Sequence, residues 1–311
     1  MNPSNSEQPA AKKVFRPVDG LVLLDKPTGI SSNHALQAVR RLYAAAKAGH
    51  TGALDPLASG MLPLCFGEST RLAGLLLNAD KAYQTTATLG ARSNTGDSDG
   101  ELFDQRAVPE YSDVEIEAIL AQFRGDQLQT PPMYSALKHK GQPLYKLARK
   151  GIEIERPPRA ISIRSLALTG RSQNQLHLEI ECTKGTYIRS LVEDIGAALG
   201  CGAHVSALRR TWVQGFRGQT MRTLEDLQQM TEAELGQCLL PTLAGLEGMA
   251  RVIMDSEQTQ TLCHGRPLFI RHGPVDRVAL LDPDENLMAV AAVDDQGRVR
   301  VQARFGTRQT S

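Results

Sequence analysis

The 311 residues predict an α+β fold built on a mixed, largely antiparallel sheet flanked by helices and loops, with a small second β unit at the C-terminal end. Three observations carry that prediction. Strand-like and helix-like segments mix without the regular alternation of a doubly wound protein. The clearest strand, Gln175 to Cys182, sets Leu176, Leu178, Ile180 and Cys182 against His177, Glu179 and Glu181, the period-two pattern of an antiparallel strand with one wet face. Beyond about residue 250 the chain becomes short strand-like runs split by Asp-Pro and Gln-Gly turns.

In chain order, Gly20 to Leu24 is a short buried strand closed by the turn Lys26-Pro27-Thr28-Gly29. Ser31 or Ser32 can then cap a helix bearing Leu36, Val39, Leu42 and Tyr43. Gly49 to Pro56 has neither helical nor strand period and is expected to be a loop, with Gly60 closing a second turn. Leu62 to Phe66 follows as strand, Thr70 to Leu77 as helix and Tyr83 to Leu89 as strand. Ser112 and Glu115 form a capping box for a helix with Ile116, Ile119, Leu120 and Phe123 on one face. After the Gln175 to Cys182 strand, Ile188, Leu191, Val192, Ile195 and Leu199 recur at helical spacing and end at Gly200 and Gly202. Arg277 to Leu281, Leu287 to Val293 and Val299 to Phe305 are the strands expected of the separate C-terminal unit.

Composition excludes several functions. The net charge of +1 gives no whole-protein field, but residues 127 to 217 carry 14 basic and 6 acidic side chains, between acidic stretches. On charge alone that pattern fits one face that meets a polyanion and fits an ordinary solvated surface equally well. The five cysteines are scattered with no Cys-x-x-Cys pair, which fits a reducing cytoplasm. No apolar run is long enough to cross a membrane, and residues 1 to about 17 are expected to be a disordered tail. Phosphate-loop, dinucleotide, zinc-protease and serine-hydrolase motifs are all missing from the sequence.

The stretch Gly49 to Gly60 is different in kind. Two glycines bracket His50 and Thr51, and Pro56 forces Asp55 out of the helical region, which holds its carboxylate in an extended presentation. On local grounds alone Asp55 reads as a turn residue before Pro56. On the same grounds Arg189 reads as the partner of Glu193 one helical turn on.

The full string Gly49-His50-Thr51-Gly52-Ala53-Leu54-Asp55-Pro56-Leu57-Ala58-Ser59-Gly60 resembles the catalytic motif of the TruB family of tRNA pseudouridine synthases. Others agree in order: Leu24 to Ser32, Asp80-Lys81-Ala82-Tyr83, Pro132 to Lys138, Cys182-Thr183-Lys184-Gly185-Thr186-Tyr187-Ile188-Arg189, and His204 to Arg210. The resemblance covers about residues 20 to 217. It implies isomerisation of uridine 55 in the TΨC loop of tRNA to pseudouridine, with Asp55 as the essential carboxylate. Arg189 and Tyr83 are the other catalytic candidates; His50, Tyr83, Tyr187 and Leu208 are implied to meet the flipped nucleotide or the space it leaves.

Because the reaction breaks the C1′–N1 bond, turns the uracil over and joins C5 to C1′, it calls for no cofactor and no metal. A cation beside Asp55 is expected to hold its pKa down by about 1 to 3 units, and Arg189 is the candidate. Lys138, Lys140, Lys146, Arg149 and Lys150, interleaved with Tyr134 and Tyr145, suit the phosphates and unstacked bases of folded RNA. The family places there, at about 130 to 159, an inserted flap over the tRNA loop. The implied organisation is a catalytic domain at 18 to 250 with a pseudouridine-synthase-like fold, then a small domain at 251 to 311 resembling the PUA fold. The implied partner is the tRNA stem-loop alone, met by a monomer with no guide RNA, protein partner or membrane.

Overall fold

A computed structural model describes residues 14–306. The sequence-predicted tail lies outside the described residues up to position 13. Its last part does not fit that reading, because the Arg16 amide donates to the Ala44 carbonyl (2.6 Å) and the Ala46 amide to the Arg16 carbonyl (2.8 Å).

A nine-stranded sheet forms the body. Its order is Arg222–Thr223, Gly20–Lys26, Ser59–Phe66, Ala203–Val213, Lys81–Leu89, Gln175–Cys182, Arg159–Ser172 and Gly125–Gln129, with Ala48–His50 paired off this path to Ser59–Phe66. The pairing is antiparallel except where Arg222–Thr223 meets Gly20–Lys26 and where Ala203–Val213 meets Ser59–Phe66.

Helices Ser32–Leu42, Asp113–Ala121 and Ile188–Ala198 pack on one face, through Leu36, Val39, Ile116, Leu120, Leu191, Val192 and Ile195. Ser31 caps the first helix and the Ser112/Glu115 capping box opens the second, as their spacing predicts. The alternation of Gln175–Cys182 follows from this one-sided cover. By contrast Gly20–Lys26 reads as a continuous apolar run because it is covered on both faces.

The second cover is the C-terminal sheet, Ala250–Ile253, Val275–Leu281, Leu287–Val293 and Val299–Arg304. Its Ala279, Leu281, Val290 and Phe305 share one buried cluster with Leu21, Leu23, Met61, Cys65 and Phe216 of the body. Each large apolar side chain fully buried there contributes about 1.5–3 kcal/mol. The expected unit is therefore a distinct sheet with a buried cluster of its own, including Met254, Leu262, Val278, Leu280 and Met288, and it shares a second cluster with the body.

Several boundaries differ from the sequence reading. Ala48–His50 is a short strand, so the loop begins only at Thr51, and Gly60 lies inside Ser59–Phe66 rather than in a turn. The helix expected from Thr70 to Leu77 is a 3-10 segment, Gly67–Leu72, followed by one α turn, Ala73–Leu76. The Thr70 hydroxyl bonds back to the Gly67 carbonyl (2.7 Å), and Gly74 weakens helix propagation. Arg159–Ser172 and Ala203–Val213 escape a sequence reading because each carries two register shifts, which break the period-two pattern.

Gly60 shows how tightly the body is closed. Its φ is +98°, and a Cβ there would lie 2.2 Å from the Arg210 carbonyl oxygen, which is rigid strand backbone. Gly60→Ala should cost about 2 kcal/mol or more. Urea unfolding that shifts by less would show that the two parallel strands can part.

Candidate active site

The loop bearing Asp55 leaves the sheet after His50 and rejoins it at Ser59. It is pinned on both sides of Asp55 by the turn after the first strand. The buried Ser32 hydroxyl donates to the Leu54 carbonyl (3.0 Å) and accepts from the Leu54 amide (2.7 Å). The Gly29 amide donates to the Pro56 carbonyl (2.8 Å). Lys26, fully buried, donates to the Pro27 and Ile30 carbonyls at 2.7 and 2.8 Å and reaches the Pro56 carbonyl at 3.5 Å. The stretch from Lys26 to Ser32, which local reading treats as a plain turn at Lys26 to Gly29 and a helix cap at Ser31 or Ser32, is thus the anchor of the loop.

Helix Ile188–Ala198 brings Arg189 to that loop. Its Nε lies 2.9 Å from Asp55 Oδ2 and 3.6 Å from Asp97 Oδ2. Nη1 donates to the Thr95 carbonyl (2.5 Å) and Nη2 to the Tyr134 carbonyl (2.7 Å). All three guanidinium nitrogens are engaged, and the side chain is only 5% exposed against 42% for Asp55. The alternative pairing with Glu193 does not form as an ion pair. Asp97 itself is buried and held by the Thr95 hydroxyl (2.6 Å) and the Asp99 amide (3.2 Å).

Asp55 and Arg189 line a cavity of about 270 Å³ together with Tyr83, Tyr187, Leu208, Lys81 and Arg210. Tyr83 is buried against the sheet, its phenol pushed up to about 12 by burial with the Arg210 guanidinium pulling the other way. Tyr187, at the helix N-cap, is raised by burial as well. Lys81 donates to the Ala79 carbonyl (2.6 Å), and burial, reinforced by Arg210, lowers its ammonium to about 8. Lys26 is lowered by burial to about 8 against the pull of Asp55.

Asp55 itself runs against expectation. Desolvation raises its pKa; Arg189 and Lys26 pull it down, Asp97 adds to the rise, and the net direction is upward. The guanidinium stands where a pKa-lowering partner should stand, but desolvation of the loop carboxylate outweighs it.

Leu208 also borders a neighbouring polar groove lined by Gln84, Thr86, His177 and Ser206 on the open face of the sheet. His50 is placed differently from the rest. It is half-buried at the end of its short strand, accepts from the Gly52 amide at Nδ1 (3.4 Å) and is not among the residues that line the Asp55 cavity. Burial, with Arg210, lowers its pKa.

Lys138, Lys140, Lys146, Arg149 and Lys150 are exposed on an insertion that leaves the sheet at Gln129 and returns at Arg159. It folds as a hairpin, Lys138–His139 with Gln142–Pro143, and the short helix Leu144–Ala148. Arg149 lies over the Tyr145 ring at 5.6 Å, and Ser135 and Ala136 line the Asp55 cavity.

Sequence reasoning missed Asp97, Lys81 and the buried Arg210, whose Nε and Nη2 hold the Met61 (2.7 Å) and Gly52 (3.1 Å) carbonyls. Lys81 and Arg210 stand inside the strings Asp80-Lys81-Ala82-Tyr83 and His204 to Arg210 without a role of their own there, and Asp97 had only the turn-rich Thr95-Gly96-Asp97 as a signal. Among the described residues no group of three or more His, Cys, Asp or Glu side chains could hold a metal ion, and no helix is long and apolar enough to cross a membrane.

Comparison with known proteins gives the class, a pseudouridine synthase. Residues 40–188 match the N-terminal domain of TruB family pseudouridylate synthase, and residues 189–247 match the tRNA pseudouridylate synthase B C-terminal domain. The chain is 48% identical over 294 residues to tRNA pseudouridine synthase B of Xanthomonas axonopodis pv. citri (strain 306), covering 94% of this chain and 96% of that one. It is 46% identical to the same-named protein of Tolumonas auensis, covering 91% of each. A chain in the crystal structure of a Cbf5-Nop10-Gar1 complex superposes with TM-score 0.74 at 25% identity, over 93% of this chain and 85% of that one. The chain belongs to the TruB family of pseudouridylate synthases, which are isomerases.

Proposed function

We propose that this protein converts the uridine at position 55 in the TΨC loop of tRNA to pseudouridine, acting alone in the cytoplasm, without cofactor, metal or guide RNA. The observation that carries the reading is the Asp55–Arg189 pair, 2.9 Å apart in a cavity walled by Tyr83, Tyr187 and Leu208. A base in a stacked loop cannot offer its glycosidic carbon to a carboxylate in such a cavity, so the nucleotide is flipped into it. Asp55 then either attacks C1′ or takes a proton from the adjacent sugar carbon, and both roles require its ionised form. Tyr83 and Tyr187 contact the uracil as it turns, Leu208 closes the apolar side, and His50 fills the space the base leaves. Residues 18–250 carry the chemistry; 251–311 form a PUA-like accessory unit.

The relatives at about half identity are named for tRNA, while the Cbf5 neighbour was solved within a multi-protein complex. Purified protein alone, incubated with unmodified tRNA and followed by base-resolution mapping, decides between them. Product only at the TΨC-loop uridine is expected. No product without added guide RNA would overturn the stand-alone reading.

The insertion is the RNA clamp in this reading, since its five exposed cations form none of the ion pairs seen among the described residues. Replacing Lys138, Lys140 and Lys146 together should reduce the log-log salt slope of tRNA affinity by about 0.7 to 0.9 for each phosphate left without its cation. An unchanged slope would make the insertion an ordinary solvated surface.

A further inference from the structure

The helix that carries Arg189 lacks a cap of its own. Helices Asp113–Ala121, Leu224–Gln229, Glu232–Gln237 and Ser256–Cys263 all begin with a capping box, in which the third helical residue reaches back to the N-cap amide. In Ile188–Ala198 the N-cap is Tyr187, whose side chain makes no cap bond, and the third residue is Ser190, too short to reach back. Gln129 takes over that task from another part of the chain. Its Oε1 accepts from the Tyr187 amide at 2.8 Å and its Nε2 donates to the Tyr187 carbonyl at 3.1 Å. Both ends of a buried carboxamide are spent on one residue, 58 positions away.

Gln129 also occupies a particular place. It is the last residue of the edge strand Gly125–Gln129 and stands opposite Arg159, so the insertion springs from the sheet between these two partners. Five residues further on, the Tyr134 carbonyl accepts from Arg189 Nη2 at 2.7 Å. The root of the insertion therefore touches the Arg189 helix twice, once at its first backbone unit and once at its guanidinium.

We propose that Gln129 is a positioning residue for this reaction: from the root of the basic insertion it fixes Tyr187 and the start of the Arg189 helix, so that RNA held by the insertion and the ion pair at Asp55 share one rigid connection. The inference rests on the tRNA reading above. Its physical content is that an amide bond pair at Tyr187 sets the position of a guanidinium two residues on, where a displacement of about 1 Å is enough to lose about 100-fold in rate. Asp55 is faced by Arg189 from the helix, by Asp97 from the loop after Arg92–Ser93, by Lys26 from the first strand, and by Tyr83 and Tyr187 across the cavity. Of these, only Arg189 and Tyr187 depend on Gln129. A slackened Arg189 leaves desolvation less opposed, so the acid limb of the rate profile moves to higher pH.

The test uses the full chain with Gln129→Met, which removes both hydrogen bonds at similar side-chain length, and Gln129→Glu, which keeps the acceptor for the Tyr187 amide. For Gln129→Met the single-turnover rate should fall about 10- to 100-fold, tRNA affinity should stay near that of the parent, and the acid limb should shift upward. Gln129→Glu should lie between Met and the parent, and it carries the test if Gln129→Met does not fold. A parental rate, an equal loss of rate and affinity, or a lower rate with an unmoved acid limb would each overturn the proposal. A parent that makes no pseudouridine in tRNA overturns the functional reading itself, and this inference with it; an active parent matched by Gln129→Met overturns the inference alone.

Discussion

Asp55→Asn should lower the single-turnover rate by about 10³-fold or more while tRNA affinity stays close to that of the parent. The amide keeps the shape of the carboxylate and can still meet Arg189 through its oxygen, but it can neither attack C1′ nor accept a proton at useful pH. The side chain lines the cavity, is 42% exposed and takes no part in the buried apolar clusters. Removing its charge should therefore leave the fold intact. The direction of its pKa makes a stronger claim. Because the folded state raises the pKa above the ordinary 3.8, the native protein binds more protons than the unfolded chain between that value and the raised one. Ionising Asp55 thus costs stability as pH rises through this window, and the neutral asparagine escapes the cost. Asp55→Asn should melt no lower than the parent at neutral pH. Residual activity within about tenfold of the parent, or a markedly lower melting temperature with proportionate loss of binding, would remove Asp55 from the chemistry.

The same raised pKa sets the pH dependence of the parent. Activity should climb with pH along a limb that lies above the ordinary carboxylate range, since only the ionised form works. Lysines 26 and 81, lowered to about 8, give up charge at the other end, where the loop anchor at Pro56 and the cavity wall lose their ammonium groups.

The sequence makes elements legible where one physical rule acts alone. Gln175–Cys182 is readable to the residue because one wet face enforces alternation, and Ser112 and Ser31 announce their helices through capping chemistry. Where two rules compete the reading fails. Arg159–Ser172 loses its period to two register shifts, and Gly67–Leu76 splits between 3-10 and α turns. The shared core between the sheets is invisible in one dimension because Leu21, Leu23 and Phe216 look like ordinary core, and nothing in the chain says that Phe305 is their neighbour. At the site, the residues in motifs, Asp55, Tyr83, Tyr187, Arg189 and Leu208, do converge on one cavity. Asp97 and Gln129 stay hidden because their importance lies in what they touch, a guanidinium 92 positions on for the first and a backbone unit 58 positions on for the second.

Replacement of Arg189 should have the second-largest effect. Its guanidinium joins four groups from three parts of the chain: Asp55 of the loop, Asp97 and the Thr95 carbonyl of one turn, and the Tyr134 carbonyl of the insertion. Among the described residues it is the one cation paired with the buried Asp97, and Arg189→Met, which breaks that pair, costs about 3–5 kcal/mol. The substitution also leaves desolvation of Asp55 less opposed, so the ionised fraction near neutrality falls. The rate should drop about 10²- to 10³-fold, far beyond any loss of tRNA affinity. Part of that rate should return at higher pH. Arg189→Lys should restore little, because one ammonium cannot reach the carboxylate and both carbonyls that three guanidinium nitrogens now serve. In the Arg189→Met background, Asp97→Asn should recover stability by removing the orphaned buried charge, yet recover little rate. Single-turnover rates set beside filter-binding constants and urea unfolding separate these effects; equal losses of rate and affinity would make Arg189 an RNA-contact residue and break the link from the insertion to Asp55.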